Sequence, residues 1–233
     1  MPTPSRGFTL IEIAIVLAII GLLLFGVLKG QELITSARVR NLISQQDGVK
    51  VAFFGFQDRY RALPGDYASA STNINCAGGP CLNGNGNGRI ESGATPVNGS
   101  VEHEELLTWW HLTAAGFLNG SYAYDGDDED TPTDQNSPKN PYSAYLQLIY
   151  DGNYGATPPS TVKHNLKTGN QIPVEILAEV DRKIDDGNPY TGAFQFSTYM
   201  PGGGTAPNPT TCINGTAWNI SGGDTNCEAA SLF

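Results

Sequence analysis

The residue that most clearly requires a chemical partner is Glu12, a carboxylate at the start of a long apolar run. Residues 13–28 follow without a polar side chain, and the stretch from Phe8 is interrupted only by Thr9 and Glu12. A helix of that length spans about 30 Å, the thickness of a bilayer's hydrocarbon core. A carboxylate at that depth is costly unless it has a partner. Cleavage after Gly7 would supply one, because it would place the new α-amino group of Phe8 near Glu12.

A cleaved secretory signal is the alternative interpretation of this segment. The apolar core of such a signal is usually about 7–15 residues long and ends at a small-residue cleavage site. Here the run is longer and continues into Lys29-Gly30-Gln31 without a clear A-x-A site. We therefore expect a retained span in the membrane.

A second set of residues with chemical potential lies in the Asn/Gly-rich loop at 83–91. Side-chain oxygens at positions one, three and five, glycine at six and an apolar residue at eight match the first half of an EF-hand-type calcium loop. The candidate ligands in the loop are Asn83, Asn85, Asn87 and, at position seven, Arg89. The pattern predicts a weak calcium site, near millimolar, because the three amides carry no charge.

The second half of the calcium pattern is missing, because position twelve is Ala94. A carboxylate could instead come from the next predicted helix, through Glu102, Glu104 or Glu105. The alternative interpretation is a flexible Asn/Gly turn that binds no ion.

Two other acidic clusters are weaker candidates for a cation site. The run Asp125, Asp127, Asp128, Glu129 and Asp130 is more typical of a solvated charged loop. Asp181, Asp185 and Asp186 fit residues that cap the end of a helix and its following turn.

The four cysteines form two local pairs in the sequence. Cys76 and Cys81 are close together, as are Cys212 and Cys227, and we favour pairing within each group because each bond would close a turn-rich segment. Zinc binding is the rival interpretation, but neither pair has the CxxC spacing. Disulfides indicate an exported, oxidising compartment.

No pattern predicts an enzyme. The histidines His103, His111 and His164 belong to no recognisable nucleophile–base or metal-ligand array. GxSxG, HExxH, P-loop and dinucleotide motifs do not occur in the sequence. His111 follows two tryptophans on a predicted core helix, so we expect it to be structural.

A long helix must position these groups. The sequence has no proline between Pro4 and Pro64, which predicts one helix from about Phe8 to Arg59, ended by the Leu-Pro-Gly-Asp turn at 63–66. Its second half carries apolar residues at helical spacing: Leu33, Ala37, Leu42, Val49, Phe53, Phe56 and Tyr60. A coiled coil is the alternative for this half, although no heptad is sustained.

The rest of the chain predicts a small α+β head. Residues 101–115 are expected to form a helix that ends at Gly116, and residues 173–185 a second one. Strands are expected at 142–150, 192–200 and 216–220. The predicted core face of the first helix is Leu106, Trp110, Ala114 and Phe117.

Composition separates these two regions. The chain has 233 residues and a net charge of −10, which argues against nucleic acid as a partner because phosphate contacts need clustered Lys and Arg. It also has 28 glycines and 15 prolines, typical of a loop-rich head. Much of its aliphatic content lies in the first thirty residues.

Gly7-Phe8-Thr9-Leu10-Ile11-Glu12-Ile13, behind a short leader with Arg6, resembles the type IV prepilin family. The resemblance implies that a prepilin peptidase cuts between Gly7 and Phe8 and methylates Phe8, and that Glu12 neutralises the Phe8 amine of a neighbouring subunit. Some larger prepilins have a similar Asn/Gly loop and a glutamate ahead of a Trp-x-His-Leu helix. That likeness makes Glu104 the preferred carboxylate for calcium.

The resemblance also implies an organisation and a function. It implies a leader at 1–7, a membrane and assembly helix at 8–28, its amphipathic continuation at 29–60 and a periplasmic or extracellular head at 61–233. The implied function is a minor pilin of a type IV pilus, with other pilins and the inner-membrane assembly platform as partners. A type II secretion pseudopilin is the alternative. A calcium-stabilised adhesin that binds through loops such as 120–142 and 201–211 is an alternative of another class.

Overall fold

The computed structural model describes residues 9–76, 79–95, 97, 99–126, 131–156, 160–200 and 205–233. Gly7, Phe8 and the acidic residues 127–130 lie outside the described residues. The chain divides into two compact units, Met1–Arg38 and Val39–Phe233.

The longest element is helix α1, Leu10–Tyr60, which confirms the single long helix expected from the proline-free sequence. It ends where Arg61 adopts a left-handed conformation (φ +54°) ahead of the turn at 63–66. Beyond it, the elements follow in chain order: α2 Ala70–Asn73, β1 Asn75–Cys76, β2 Gly79–Pro80, α3 Glu104–Ala114, β3 Gln147–Asp151, β4 Lys163–Lys167, α4 Val174–Ile184, β5 Phe194–Phe196, α5 Pro209–Cys212, β6 Ile213–Asn214, β7 Ala217–Trp218, a 3₁₀ turn Ile220–Gly222 and β8 Ala229–Leu232.

The central sheet is antiparallel and has the strand order β3-β4-β8-β5. Two-stranded pairs β1-β2 and β6-β7 lie apart from it in the hydrogen-bonding pattern. A long helix packed on small antiparallel sheets is the α+β, pilin-like architecture that the sequence predicted.

The core of the second unit has two main clusters, both built on α1. In the first cluster, Val39 and Leu42, at the beginning of the second unit, pack with α4, β5 and the segment around Cys227. Farther along, Val49, Phe53 and Phe56 pack with α3 and the middle of the sheet. Burial of each apolar side chain of this size stabilises the fold by roughly 1.5–3 kcal/mol. Residues 39–60 of α1 therefore contribute a large part of the hydrophobic stabilisation of the head.

Two predicted strands are shorter than expected, and side-chain capping explains why. The strand expected at 142–150 begins only at Gln147, because Asn140 Oδ1 accepts the N–H groups of Tyr142 and Ala144 and holds that segment in a turn. The strand expected at 192–200 is limited to Phe194–Phe196. Ser197 Oγ accepts the N–H of Tyr199 and ends it.

Helix α3 corrects the predicted core face. Trp109 and Leu112 are fully buried, whereas Trp110 is half-buried. The helix has buried residues on most of its circumference, so a one-sided amphipathic pattern is the wrong description. It also begins at Glu104 rather than at 101, because the Glu102 carbonyl accepts the Ala94 N–H instead of a helical N–H four residues ahead.

Both local disulfides are present. Cys76–Cys81 and Cys212–Cys227 have Cα–Cα distances of 5.0 and 5.8 Å. The second bond ties the segment before β6 to the segment before β8. The predicted pairing is therefore confirmed, and the zinc interpretation is wrong.

Candidate functional site

The first unit presents an apolar surface that nothing in the unit covers. All residues from Thr9 to Lys29 are exposed, among them Leu10 at 92% and Leu22 at 73%. Among the described residues, α1 is the helix long and apolar enough to cross a membrane by length and composition. So large an apolar surface requires lipid or other protein around it.

Glu12 has a structural role at the start of α1 that was not predicted from the sequence. The Glu12 carboxylate accepts the backbone N–H and the hydroxyl of Thr9, both at 2.8 Å, and the Glu12 N–H donates to Thr9 Oγ1 at 3.3 Å. This reciprocal pair is a capping box, in which Thr9 and Glu12 satisfy backbone donors that the first helical turn leaves free. The T-x-x-E spacing at residues 9–12 was the available signal.

The Asn/Gly loop in the second unit is organised around two buried carboxylates. Asp66 is 4% exposed, and its two oxygens accept the N–H groups of Asn87 at 2.9 Å and Gly88 at 2.8 Å. Glu104 is 0% exposed and accepts the N–H groups of Asn85 at 2.8 Å and Glu91 at 3.3 Å. The loop therefore wraps both acids with backbone donors.

Of the three glutamates that could have reached this loop, Glu104 is the one that bonds to it. Glu105 faces His103, whose Nδ1 lies 3.1 Å from Glu105 Oε1. Glu102 contributes its backbone carbonyl to the Ala94 N–H.

The predicted amide ligands are used differently from the expected pattern. Asn83 Oδ1 accepts the Ser71 N–H, and Asn85 Oδ1 and Asn87 Oδ1 accept backbone N–H groups two residues ahead. Arg89 is exposed, with its guanidinium 3.8 Å from Glu91. From Gly84 to Arg89, every backbone N–H of this loop has an acceptor.

Asp66 was missed because it lies in the turn that ends α1, far from the loop in sequence. Close packing brings the two together: a Cβ on Gly84 would lie 2.1 Å from the Gly65 carbonyl oxygen. The acidic end of the Leu-Pro-Gly-Asp turn was the only sequence signal for its involvement.

The electrostatics of this loop are unfavourable for ionised acids. Burial, helped by the negative charges of Asp66 and Glu91 and opposed by the two N–H donors, raises the pKa of Glu104 to about 8. Burial also raises the pKa of Asp66. The charged groups that act on Glu104 are acidic, so a proton or a cation would have to neutralise it.

His111 joins the loop to the turn and is structural, as the sequence predicted. The Gly65 N–H donates to Nδ1 at 3.0 Å, which fixes the tautomer, so Nε2 carries the proton and donates to the Leu82 carbonyl at 2.9 Å. The ring is fully buried and stacks parallel to Phe56. Burial lowers the pKa of His111 to about 4.

Among the described residues, two other groups bring three potential metal ligands within 4.8 Å. In one of them, Cys212 and Cys227 are disulfide-bonded, which removes their thiolates. In the other, Asp181 accepts the Gly187 N–H and Asp185 accepts the Phe194 N–H, which agrees with the predicted capping and turn roles.

The comparisons with known proteins bear on the N-terminal segment alone. A family model described as the prokaryotic N-terminal methylation motif matches residues 3–28. No curated protein and no solved structure matches the chain.

This motif implies processing by prepilin peptidase and assembly with other pilins. Proteins that carry it are typically structural rather than enzymatic. With the apolar α1, it fits anchoring in a membrane. Over residues 3–28, the chain carries the type IV prepilin signature.

Proposed function

We propose that the chain is a structural subunit of a type IV pilus, a minor pilin, which is cut between Gly7 and Phe8 and assembles through α1. The observation that supports this most strongly is the exposed apolar surface of residues 9–29, most of which lies within the methylation motif at residues 3–28. Before assembly, lipid covers this surface, and in the filament neighbouring helices replace the lipid. The large loop-rich head favours a minor subunit.

Mass spectrometry of the protein from membranes and from sheared surface filaments tests the processing step. We expect a mature chain that begins at N-methylated Phe8, and an uncleaved precursor for Gly7→Arg. Gly21→Ala is the matched control, because nothing lies within 4 Å of a Cβ there. A native N-terminus elsewhere, or full-length precursor in filaments, would contradict the proposal.

Location and abundance distinguish three kinds of subunit. A trace component of surface filaments is the expected result for a minor pilin. An abundant filament protein would indicate a major pilin. A protein confined to the periplasm, and required for export of folded proteins, would indicate a type II secretion pseudopilin.

We also propose that the loop at 83–91 binds Ca²⁺, with Asp66 and Glu104 as its charged ligands. Support comes from two buried carboxylates that the loop wraps and from the acidic charges that act on Glu104. Each of these oxygens already accepts an N–H, but a carboxylate oxygen has a second lone pair for a cation. Asn85 and Asn87 are the amides whose side-chain oxygens accept N–H groups within the loop itself, whereas that of Asn83 accepts the Ser71 N–H.

Thermal unfolding of the full chain in detergent, with Ca²⁺, Mg²⁺ or a chelator, tests the calcium proposal. At a tenfold excess of Ca²⁺ over its Kd, we expect about 1.4 kcal/mol of added stability. Glu104→Gln should abolish the gain, whereas Glu102→Gln should retain it. An equal gain in the Glu104→Gln variant, or none in the native protein, would refute the site.

A further inference from the structure

One face of the central sheet carries a lysine on β4, a carboxylate at the end of β3 and a second carboxylate immediately before β8. Lys167 lies on the middle strand β4, where it pairs with Gln147 on β3 and Ala230 on β8. Because alternate residues of a strand share a face, Asp151 lies on the same side as Gln147, and Glu228 on the same side as Ala230.

The Lys167 side chain is completely buried and held against Asp151. Its Nζ lies 3.0 Å from Asp151 Oδ1 and donates to the Asn153 carbonyl, also at 3.0 Å. Asn165 Nδ2 donates to the same Asp151 oxygen at 2.9 Å, which fixes the carboxyl group. The ring of Tyr154 covers the amine, with its centroid 5.6 Å from Nζ. The amine is therefore held in hydrogen-bond contact with the carboxyl group of Asp151, which keeps the two groups together.

Glu228, which immediately precedes β8, is also fully buried. Among the described residues, neither of its carboxylate oxygens has a partner of good hydrogen-bond geometry, although the Gly169 N–H is close enough to lower its pKa. Burial raises the pKa of Glu228 well above its usual range, against the opposing effect of the Lys167 ammonium. Burial likewise lowers the pKa of Lys167. Lys167 and Glu228 act on each other through their charges, while Nζ itself donates to Asp151 and Asn153. Moving a proton from Lys167 to Glu228 would remove two buried charges.

We propose that Lys167 and Asp151 condense to an intramolecular isopeptide bond, with Glu228 as the proton carrier. Glu228 takes a proton from the ammonium, and the free amine of Lys167 attacks Cγ of Asp151. One C–O bond of the Asp151 carboxyl group then breaks, and the released oxygen leaves as water. Both protons of this water come from the original ammonium, and Glu228 transfers them one after the other. One ammonium and one carboxylate become one amide and one water, and Glu228 is regenerated.

A simple ion pair explains less of this arrangement. It would balance one carboxylate but leave Glu228 as a second buried acid with no salt bridge among the described residues, which is costly. The isopeptide bond would also tie the end of β3 to the end of β4 and so close the intervening loop covalently.

The intact mass of the full-length protein, extracted from membranes in detergent, tests the proposal directly. We expect a mass lower by one water molecule than processing and the two disulfides predict. Trypsin should yield peptide 140–163 joined to peptide 164–182, because an acylated Lys167 is not cleaved. An intact mass that retains the water, with peptide 164–167 released as a linear fragment, would overturn the proposal.

Variants separate the parts of the reaction. Lys167→Arg should keep the charge but lose the cross-link, whereas Asp151→Asn should form it with loss of ammonia instead of water. Glu228→Gln should slow or abolish it, and formation at the native rate would overturn its role as proton carrier. Lys163→Arg is the control, because exposed Lys163 pairs directly with Asp151 in the strand register and should leave the cross-link intact.

Discussion

Residues 10–29 of α1 and the loop at 83–91 differ in how their backbone is hydrogen-bonded and in which side chains they leave exposed. The helical segment satisfies its backbone within the helix and leaves all its apolar side chains exposed. The loop has little regular structure, yet side-chain acceptors take up its backbone N–H groups, and its central acids are buried.

This difference shows where each region needs a partner. The helical segment lacks apolar surroundings, which lipid or neighbouring subunits can provide. The loop lacks positive charge beside Glu104, which a proton or a cation can provide. Substitutions in the helix should therefore change association, and substitutions in the head should change folding.

The largest effect on folding is expected at the centre of the head. Trp109 is fully buried, so Trp109→Ala should cost about 3–5 kcal/mol of unfolding free energy. Leu22→Ala, at a side chain 73% exposed, should change it by less than about 0.5 kcal/mol. Denaturant unfolding in detergent, followed by circular dichroism, measures both. Similar losses of unfolding free energy at the two positions would contradict the expectation that the head determines folding and residues 10–29 determine association.

A smaller effect is expected from the disulfides. The Cys212–Cys227 bond encloses a sequence separation of 15 residues, and its loss should cost about 3 kcal/mol on the chain-entropy model. The Cys76–Cys81 bond spans 5 residues, so its loss should cost about 2 kcal/mol. Paired Cys→Ser variants and the same unfolding assay test this order, and a reversed order would contradict the entropic argument.

The smallest effect concerns pH. Because the pKa of Glu104 rises from 4.5 to about 8 on folding, the folded state binds the proton more tightly, and stability falls as pH rises through this range. The buried His111, with its pKa lowered to about 4, has the opposite effect below pH 6.5. Between pH 6.5 and 8, the titration of Glu104 affects stability and that of His111 does not.

In that interval, the native protein should lose on the order of 1–2 kcal/mol relative to Glu104→Gln when calcium is absent. Saturating Ca²⁺ should reduce the difference, because the cation stabilises the ionised form. Parallel pH profiles for the two proteins would show that Glu104 does not titrate there.

Local patterns predicted much of the fold. The proline-free run gave α1, and Pro173 with the spacing of Leu177 and Val180 gave α4, observed at Val174–Ile184. Strands β4 and β8 were missed. Their sequences, KHNLK and AASL, contain no β-branched or aromatic residue, so only pairing with neighbouring strands identifies them.

The candidate site was predicted only in part, because tertiary packing assembles it. The Asn/Gly pattern identified the loop, and the glutamate ahead of the Trp-x-His-Leu segment identified Glu104. Asp66 joins them through the turn after α1, a contact that no local spacing encodes. The capping box of Thr9 and Glu12 was a local pattern, but the functional reading of Glu12 obscured it.

That capping box allows the charge of Glu12 to be tested apart from its structural role. Gln can replace Glu in a capping box, so Glu12→Gln should preserve the helix start while removing the charge. Thr9→Val does the reverse, because it removes the hydroxyl and keeps the carboxylate. Glu12→Ala removes both contributions.

The most direct test of the central claim is the amount of each variant in sheared surface filaments, relative to its amount in the membrane. If Glu12 acts in assembly through its charge, Glu12→Gln and Glu12→Ala will both remain in the membrane and be excluded from filaments, while Thr9→Val is incorporated. Incorporation of Glu12→Gln at the native level, with exclusion of Thr9→Val, would show that the helix cap matters and that the charge pair does not.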